Sequence, residues 1–269
     1  MNLIPLPKSI LAGFALTVPA HATVLLFADN FDRPDNTDLN ASTAGQSGSV
    51  SPLTWVEKVA SANEDPVIDT NRLRFGDGLA GGGWSVAYPD HNFIDSAITT
   101  SGEFTVTVDL AGAANRGGTR FNGFAVGHSQ AEVDGWAANN PANFDSDFFF
   151  GLDTTGSGSF GFYTYENGTQ KLLSATVPAG GTAELSVNFT GFSDFNSGTT
   201  VSYEALIDGT SAGSGTFNWS GTNENYIALY SNFNNNNALQ DNFAVSTIPE
   251  PSSLALLSFL SLLAARRRR

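Results

Sequence analysis

The chain has no cysteine, one methionine and three histidines in 269 residues. Without thiols there is neither a disulfide framework nor a cysteine-based zinc site, so an exported form must rely on packing, or on bound metal, for its stability. Basic residues are scarce as well, 12 against 26 acidic. The imbalance is steeper in the middle, where residues 23–247 hold 7 basic and 25 acidic side chains, a net −18. A body that acidic is repelled by phosphate backbones, which excludes nucleic acid as a partner. No uncharged apolar run reaches the ~20 residues that a spanning helix needs. What the chain has instead is 28 Gly and 21 Phe among many Asn, Ser and Thr, a vocabulary of strands and turns.

The two ends differ from the middle. Residues 1–22, MNLIPLPKSILAGFALTVPAHA, carry one cation, Lys8, then an apolar stretch and the small-x-small sequence Ala20-His21-Ala22. This is the layout of a secretory signal peptide cleaved after Ala22. At the other end, residues 252–265 are uncharged; as a helix they would reach about 21 Å, short of a ~30 Å hydrocarbon core. Arg266, Arg267, Arg268 and Arg269 follow and act as a positive-inside signal, so the two ends agree on an exported body.

Pro249-Glu250-Pro251, an apolar run and a terminal arginine cluster together resemble the PEP-CTERM sorting signal of exported bacterial proteins. The resemblance covers residues 248–269. It implies recognition and removal of the tail by an integral-membrane exosortase, with Glu250 displayed in extended backbone because each proline disfavours helix at its predecessor. Many members have glycines where this run has Ser258 and Ser261. The implied partners are the Sec export machinery and the exosortase. The implied route is a transient stay at the inner membrane, then the cell surface or extracellular matrix.

Between the ends, at residues 23–247, short alternating or fully apolar segments recur with turn signals between them. They fall at residues 23–28, 103–110, 121–126, 148–152, 159–165, 172–177, 183–189, 201–207, 226–230 and 240–245. In EFTVTVDL the set Phe104, Val106, Val108 and Leu110 takes one face, as in a half-buried sandwich strand. Asn167-Gly168 predicts a hairpin over residues 159–177. The expected fold is all-β, a two-sheet antiparallel jelly-roll sandwich flanked by an N-terminal signal helix and a C-terminal hydrophobic helix. ADNFD near the start of the body and QDNFA near its end suggest first and last strands side by side, each with an Asp two residues before a Phe and pointing inward. This pattern resembles the concanavalin A and laminin-G superfamily. The resemblance implies a structural calcium ion, with Asp29 and Asp241 as its candidates; the alternative is two Asp side chains capping strand ends.

The search for chemistry returns little. His91 and His128 stand in unrelated contexts, no G-x-S-x-G occurs, and Glu132-Val133-Asp134 lacks the second glutamate of the laminarinase-like E-x-D-x-x-E strand. GDGLAGGG at residues 76–83 precedes a strand rather than a helix and reads as a loop. The recurrent Asp29, Asp32, Asp35 and Asp38, and the Asn143, Asp145, Asp147 alternation, read as acidic loops without an EF-hand pattern. Trp55, Trp84, Trp136, Trp219 and Tyr88 are candidate sugar-stacking platforms, but most are expected in the core, where large aromatics dominate burial; Trp136 in AANNP is the most loop-like. The resulting expectation is a non-catalytic exported surface or matrix protein with extracellular polysaccharide as a partner. The alternatives are a dedicated lectin-like module and a polysaccharide-degrading enzyme with an unrecognised carboxylate pair.

Overall fold

The computed structural model describes residues 23–59, 65–75, 85–94, 96–111, 121–135, 146–154, 160–173, 175–176, 182–220, 223–232 and 238–247. The expected signal helix at residues 1–22 and the expected hydrophobic helix and sorting tail at residues 248–269 lie outside these residues, as do Trp84, Trp136 and residues 76–83. The first half of the chain supplies β1 (Val24–Asp29), β2 (Gln46–Ser47), β3 (Trp55–Val59), β4 (Pro66–Ile68), β5 (Leu73–Phe75), β6 (Ser85–Pro89), α1 (Ser96–Ser101), β7 (Glu103–Ala111), β8 (Phe121–His128) and α2 (Gln130–Gly135). The second half supplies β9 (Phe148–Thr154), β10 (Phe160–Glu166), β11 (Thr169–Leu172), β12 (Ala183–Thr190), β13 (Thr200–Ile207), β14 (Thr210–Asn218), β15 (Tyr226–Asn232) and β16 (Ala238–Thr247).

These strands form two antiparallel sheets, a jelly-roll sandwich. One runs β14-β13-β12-β7-β16-β1-β2, with β5 on β16 and β4 on β5; the other runs β11-β10-β9-β8-β15-β6-β3. First and last strands do lie side by side, with Val24 opposite Thr247 and Phe27 opposite Val245. Phe104, Val106, Val108 and Leu110 are all buried, and they interleave with Phe27, Phe93, Phe150, Phe189 and Phe243 in one core between the sheets.

The hairpin at Asn167-Gly168 is present, with φ of 46° and 77° at its two centres and Glu166 paired to Thr169. Positive φ at both central residues is what a type I′ turn demands. The returning strand therefore starts directly after Gly168 and ends at Leu172, whereas the sequence places it at residues 172–177. A tight turn fixes register at once, and the greater apolarity of LLSATV does not move it.

The two sheets differ on their outer faces. In the larger sheet, β7, β12 and β13 alternate strictly between buried and accessible positions. In the seven-stranded sheet, every residue of β6 and of β8 is buried. The outer face of this sheet is therefore already covered by the chain itself, as a second apolar cluster, and the rim of that cluster locates the site below.

Candidate functional site

Period-two alternation splits each strand of the seven-stranded sheet. Phe124, Phe150, Phe162 and Leu229 face the inter-sheet core. Their neighbours Phe121, Phe149, Tyr230, Tyr88 and Val86 form a separate cluster on the outside, together with Val133 of α2 and the half-buried Tyr165, Tyr226 and Val56. Its rings meet mostly edge to face: Phe121 with Phe149 at 6.1 Å, Phe121 with Tyr165 at 6.0 Å, Phe149 with Tyr230 at 6.2 Å, Tyr88 with Tyr226 at 6.2 Å. Cross-strand register produces this: Phe149 sits opposite Ala125 and Tyr165, while Tyr230 sits opposite Gly123 and Val86. Small residues alternate with rings, which keeps the sheet continuous beneath six aromatics.

At the β10–β11 rim the cluster acquires polar groups. Tyr165 donates its phenol proton to Asp153, and Gln170 donates to Asp153 Oδ2 at 2.6 Å and to the Tyr165 oxygen at 2.6 Å. Gln170 is exposed and Tyr165 half-buried, so this rim is where the face meets solvent. Burial, reinforced by Asp153, raises the Tyr165 phenol far above its ordinary value. Burial, with Asp134 and Asp90 nearby, pushes Tyr88 up to about 12. Tyr226 and Tyr230 are raised as well, burial again leading. All four phenols therefore stay protonated at neutral pH and present hydroxyls and ring faces, not a phenolate base. His128, at the end of β8, is buried, and its pKa is lowered to about 3 by that burial. It is neutral across the physiological range and is a poor proton shuttle.

The candidates named from sequence fall elsewhere. Asp29 is fully buried and points inward as expected, but its carboxylate is engaged by protein donors: Arg33 Nη1 at 2.8 and 3.0 Å, Trp55 Nε1 at 2.8 Å and the Phe31 amide at 2.8 Å. The guanidinium supplies the positive charge that calcium was expected to supply. Asp241 does not share this side. Asn242 has φ of 49° and makes a bulge in β16, so Phe243 turns inward while Asp241 turns to the outer face beside Arg72 at 3.8 Å. Its pKa is raised, burial outweighing the Asn242 amide and Arg72. One calcium ion bridging Asp29 and Asp241 does not fit this geometry, and among the described residues no three His, Asp or Glu side chains converge as a metal site.

Trp55 and Trp219 are core residues at 2% and 0% exposure, as expected of most of these aromatics, and are not stacking platforms. Tyr88 does lie on the aromatic face, though buried. Trp136, Ala20, Ala22, Pro249, Glu250, Pro251 and the four terminal arginines lie outside the described residues. Asp35 and Asp38 cap the Thr70 and Asn40 amides, and Asp147 accepts from the Ser220 amide and hydroxyl, as loop-tying acids do. Glu132 caps α2 reciprocally with Ser129. The Tyr165, Asp153 and Gln170 constellation was not singled out from sequence. Its signal was the Tyr alternation in SFGFYTY, visible only once its phase relative to the core is known.

No protein-family model and no curated protein matches the chain. Among solved structures it is similar to a Bacillus subtilis protein of unknown function with a galectin-like fold, at TM-score 0.52 and 11% identity, covering 86% of this chain and 99% of that one. That likeness is one of fold. Lower similarity links it to the Emp46p carbohydrate recognition domain in its potassium-bound form (TM-score 0.47, 9% identity, 71% of this chain and 87% of that one). A double mutant of alginate lyase Aly36B holding an alginate trisaccharide scores 0.40 at 16% identity, over 71% of this chain and 87% of that one.

Proposed function

We propose that this chain is an exported, non-catalytic jelly-roll module that holds extracellular polysaccharide at the solvent-facing Tyr165–Gln170 rim of the aromatic cluster on its seven-stranded sheet. The observation that carries the reading is the second apolar face, whose half-exposed Tyr165 stands beside Asp153 and Gln170. A half-exposed ring that can cover a pyranose, next to an exposed amide that can take up hydroxyls and a buried carboxylate that holds both in place, is a combination suited to sugars. The protonated tyrosines favour contact over catalysis. The ends of the chain support export: a signal-peptide layout at residues 1–22, and the Pro249-Glu250-Pro251 tail as a sorting signal for an exosortase-type enzyme.

Affinity electrophoresis through a panel of neutral and acidic polysaccharides tests the site. At least one polymer should retard the protein, and Tyr165→Ala should weaken that binding roughly tenfold, about 1.4 kcal/mol. Migration unaffected by every polymer would sink the reading. Release of new reducing or unsaturated ends from any polymer would replace it with an enzyme.

A further inference from the structure

Most polar side chains buried between the sheets are paired, as Asp29 is with Arg33 and Thr164 with Tyr203, but one row is not. Ser85 of β6, Ser231 of β15 and Asn122 of β8 stand next to one another, because Ser231 pairs with both of the others. All three occupy the inward phase, alternating with the core-facing Ala87, Leu229 and Phe124. Gln240 of β16 reaches them from the opposite sheet. Its Nε2 donates to Asn122 Oδ1 at 2.7 Å and to the carbonyl of Gly123 at 3.0 Å, with that of Tyr230 at 3.2 Å. None of the four side chains is more than 3% exposed. Among the described residues, these bonds leave Asn122 Nδ2, Gln240 Oε1 and both serine hydroxyls without a hydrogen-bond partner. Buried orphans are costly, and four in one row call for a common partner.

We infer that this row is a binding site for internal water, a file of two molecules bridging the sheets. The orphans are of mixed character: Asn122 Nδ2 only donates, Gln240 Oε1 only accepts, and each serine does both. A cation would face the Asn122 donor with no carboxylate to hold it, and an anion would face Gln240 Oε1. An apolar ligand would leave all four unmet. Water donates twice and accepts twice, within the two to four bonds typical of a buried molecule. Strands lie about 4.8 Å apart, so Ser85 and Asn122 are separated by roughly 9.6 Å, too far for one water to span. Two serve, one between Ser85 and Ser231, the other joining Ser231, Asn122 and Gln240. The file adds to the direct bonds by which Gln240 ties β16 to β8 and β15.

A crystal structure of the wild-type chain should show solvent density within hydrogen-bond distance of both Ser231 Oγ and Gln240 Oε1. In solution, water-oxygen relaxation dispersion should lose the contribution of two long-lived molecules in Ser231→Val, which fills the row and removes its central hydroxyl. Ser231→Ala, which disturbs packing less, should exchange its internal water at least tenfold faster. Direct bonding of Ser231 to Ser85 or Gln240 without solvent density, or an unchanged dispersion in both variants, would overturn the inference.

Discussion

Asp29 illustrates how much a single residue reveals before its surroundings are known. Period two in ADNFD places it inward, and it is inward. Its partners could not be read, because Trp55 is 26 residues away and Arg33 reaches back only where Phe31 adopts a φ of 50°. Breaking a buried pair from one side strands the other charge, so Asp29→Ala should cost about 3–5 kcal/mol in urea unfolding. Chelation with EDTA should leave the melting temperature of the wild type unchanged; a clear drop would restore a structural ion. Two further residues set opposite pH slopes. His128 is neutral in the fold, with a pKa about 3 against an ordinary 6.5. Its stabilisation is full above 6.5 and is lost as pH falls from there toward 3, at about 1.4 kcal/mol per pH unit. Glu57 is raised from 4.5 to about 7, mainly by burial, with Asp65 and Asp38 adding to it against the Leu39 amide. The folded state therefore holds its proton more tightly, and stability falls as pH rises from 4.5 toward 7. Denaturation across this range should show His128→Asn removing the acid-side loss and Glu57→Gln gaining stability above pH 7. Parallel curves for either variant would contradict the assignment.

At the scale of elements, local chemistry was informative where a turn or a strict alternation dictated geometry. EFTVTVDL and AELSVNF became β7 and β12 with their Phe, Val and Leu residues inward. TSAGSGTFN did not announce β14, since Gly and Ser weaken strand propensity. Its strand character comes from pairing with β13 across the Asp208-Gly209 turn, where both residues have positive φ. The bulge at Asn242 was equally hidden, because one extra residue inverts the phase of everything before it. An asparagine tolerates the left-handed backbone that a β-branched residue does not. Asn242→Val should therefore destabilise by about 1–2 kcal/mol. Asn242→Gly should be neutral within a few tenths in the same urea titration. Equal stability of the two variants would remove the bulge as the reason Asp241 faces outward.

Across the whole molecule, the pairing of Val24 with Thr247 brings both ends of the sandwich to one place. Under the proposed export route, both processing events act at that pole. Intact mass of the mature protein should show a chain beginning at Thr23 and lacking the arginine cluster; a mature chain that keeps Arg269 would contradict sorting by cleavage. What the amino-acid order by itself determined is the class of fold, the acidity of the body and the separate character of its ends. Those properties rest on local alternation, turn residues and charge, and are additive along the chain. Tertiary structure alone decided which face of the seven-stranded sheet carries the rings, that Trp55 donates to Asp29, and that Asp29 meets a guanidinium. The physical reason is register: alternation says that two faces exist, but only pairing between strands distant in sequence sets which residues share one.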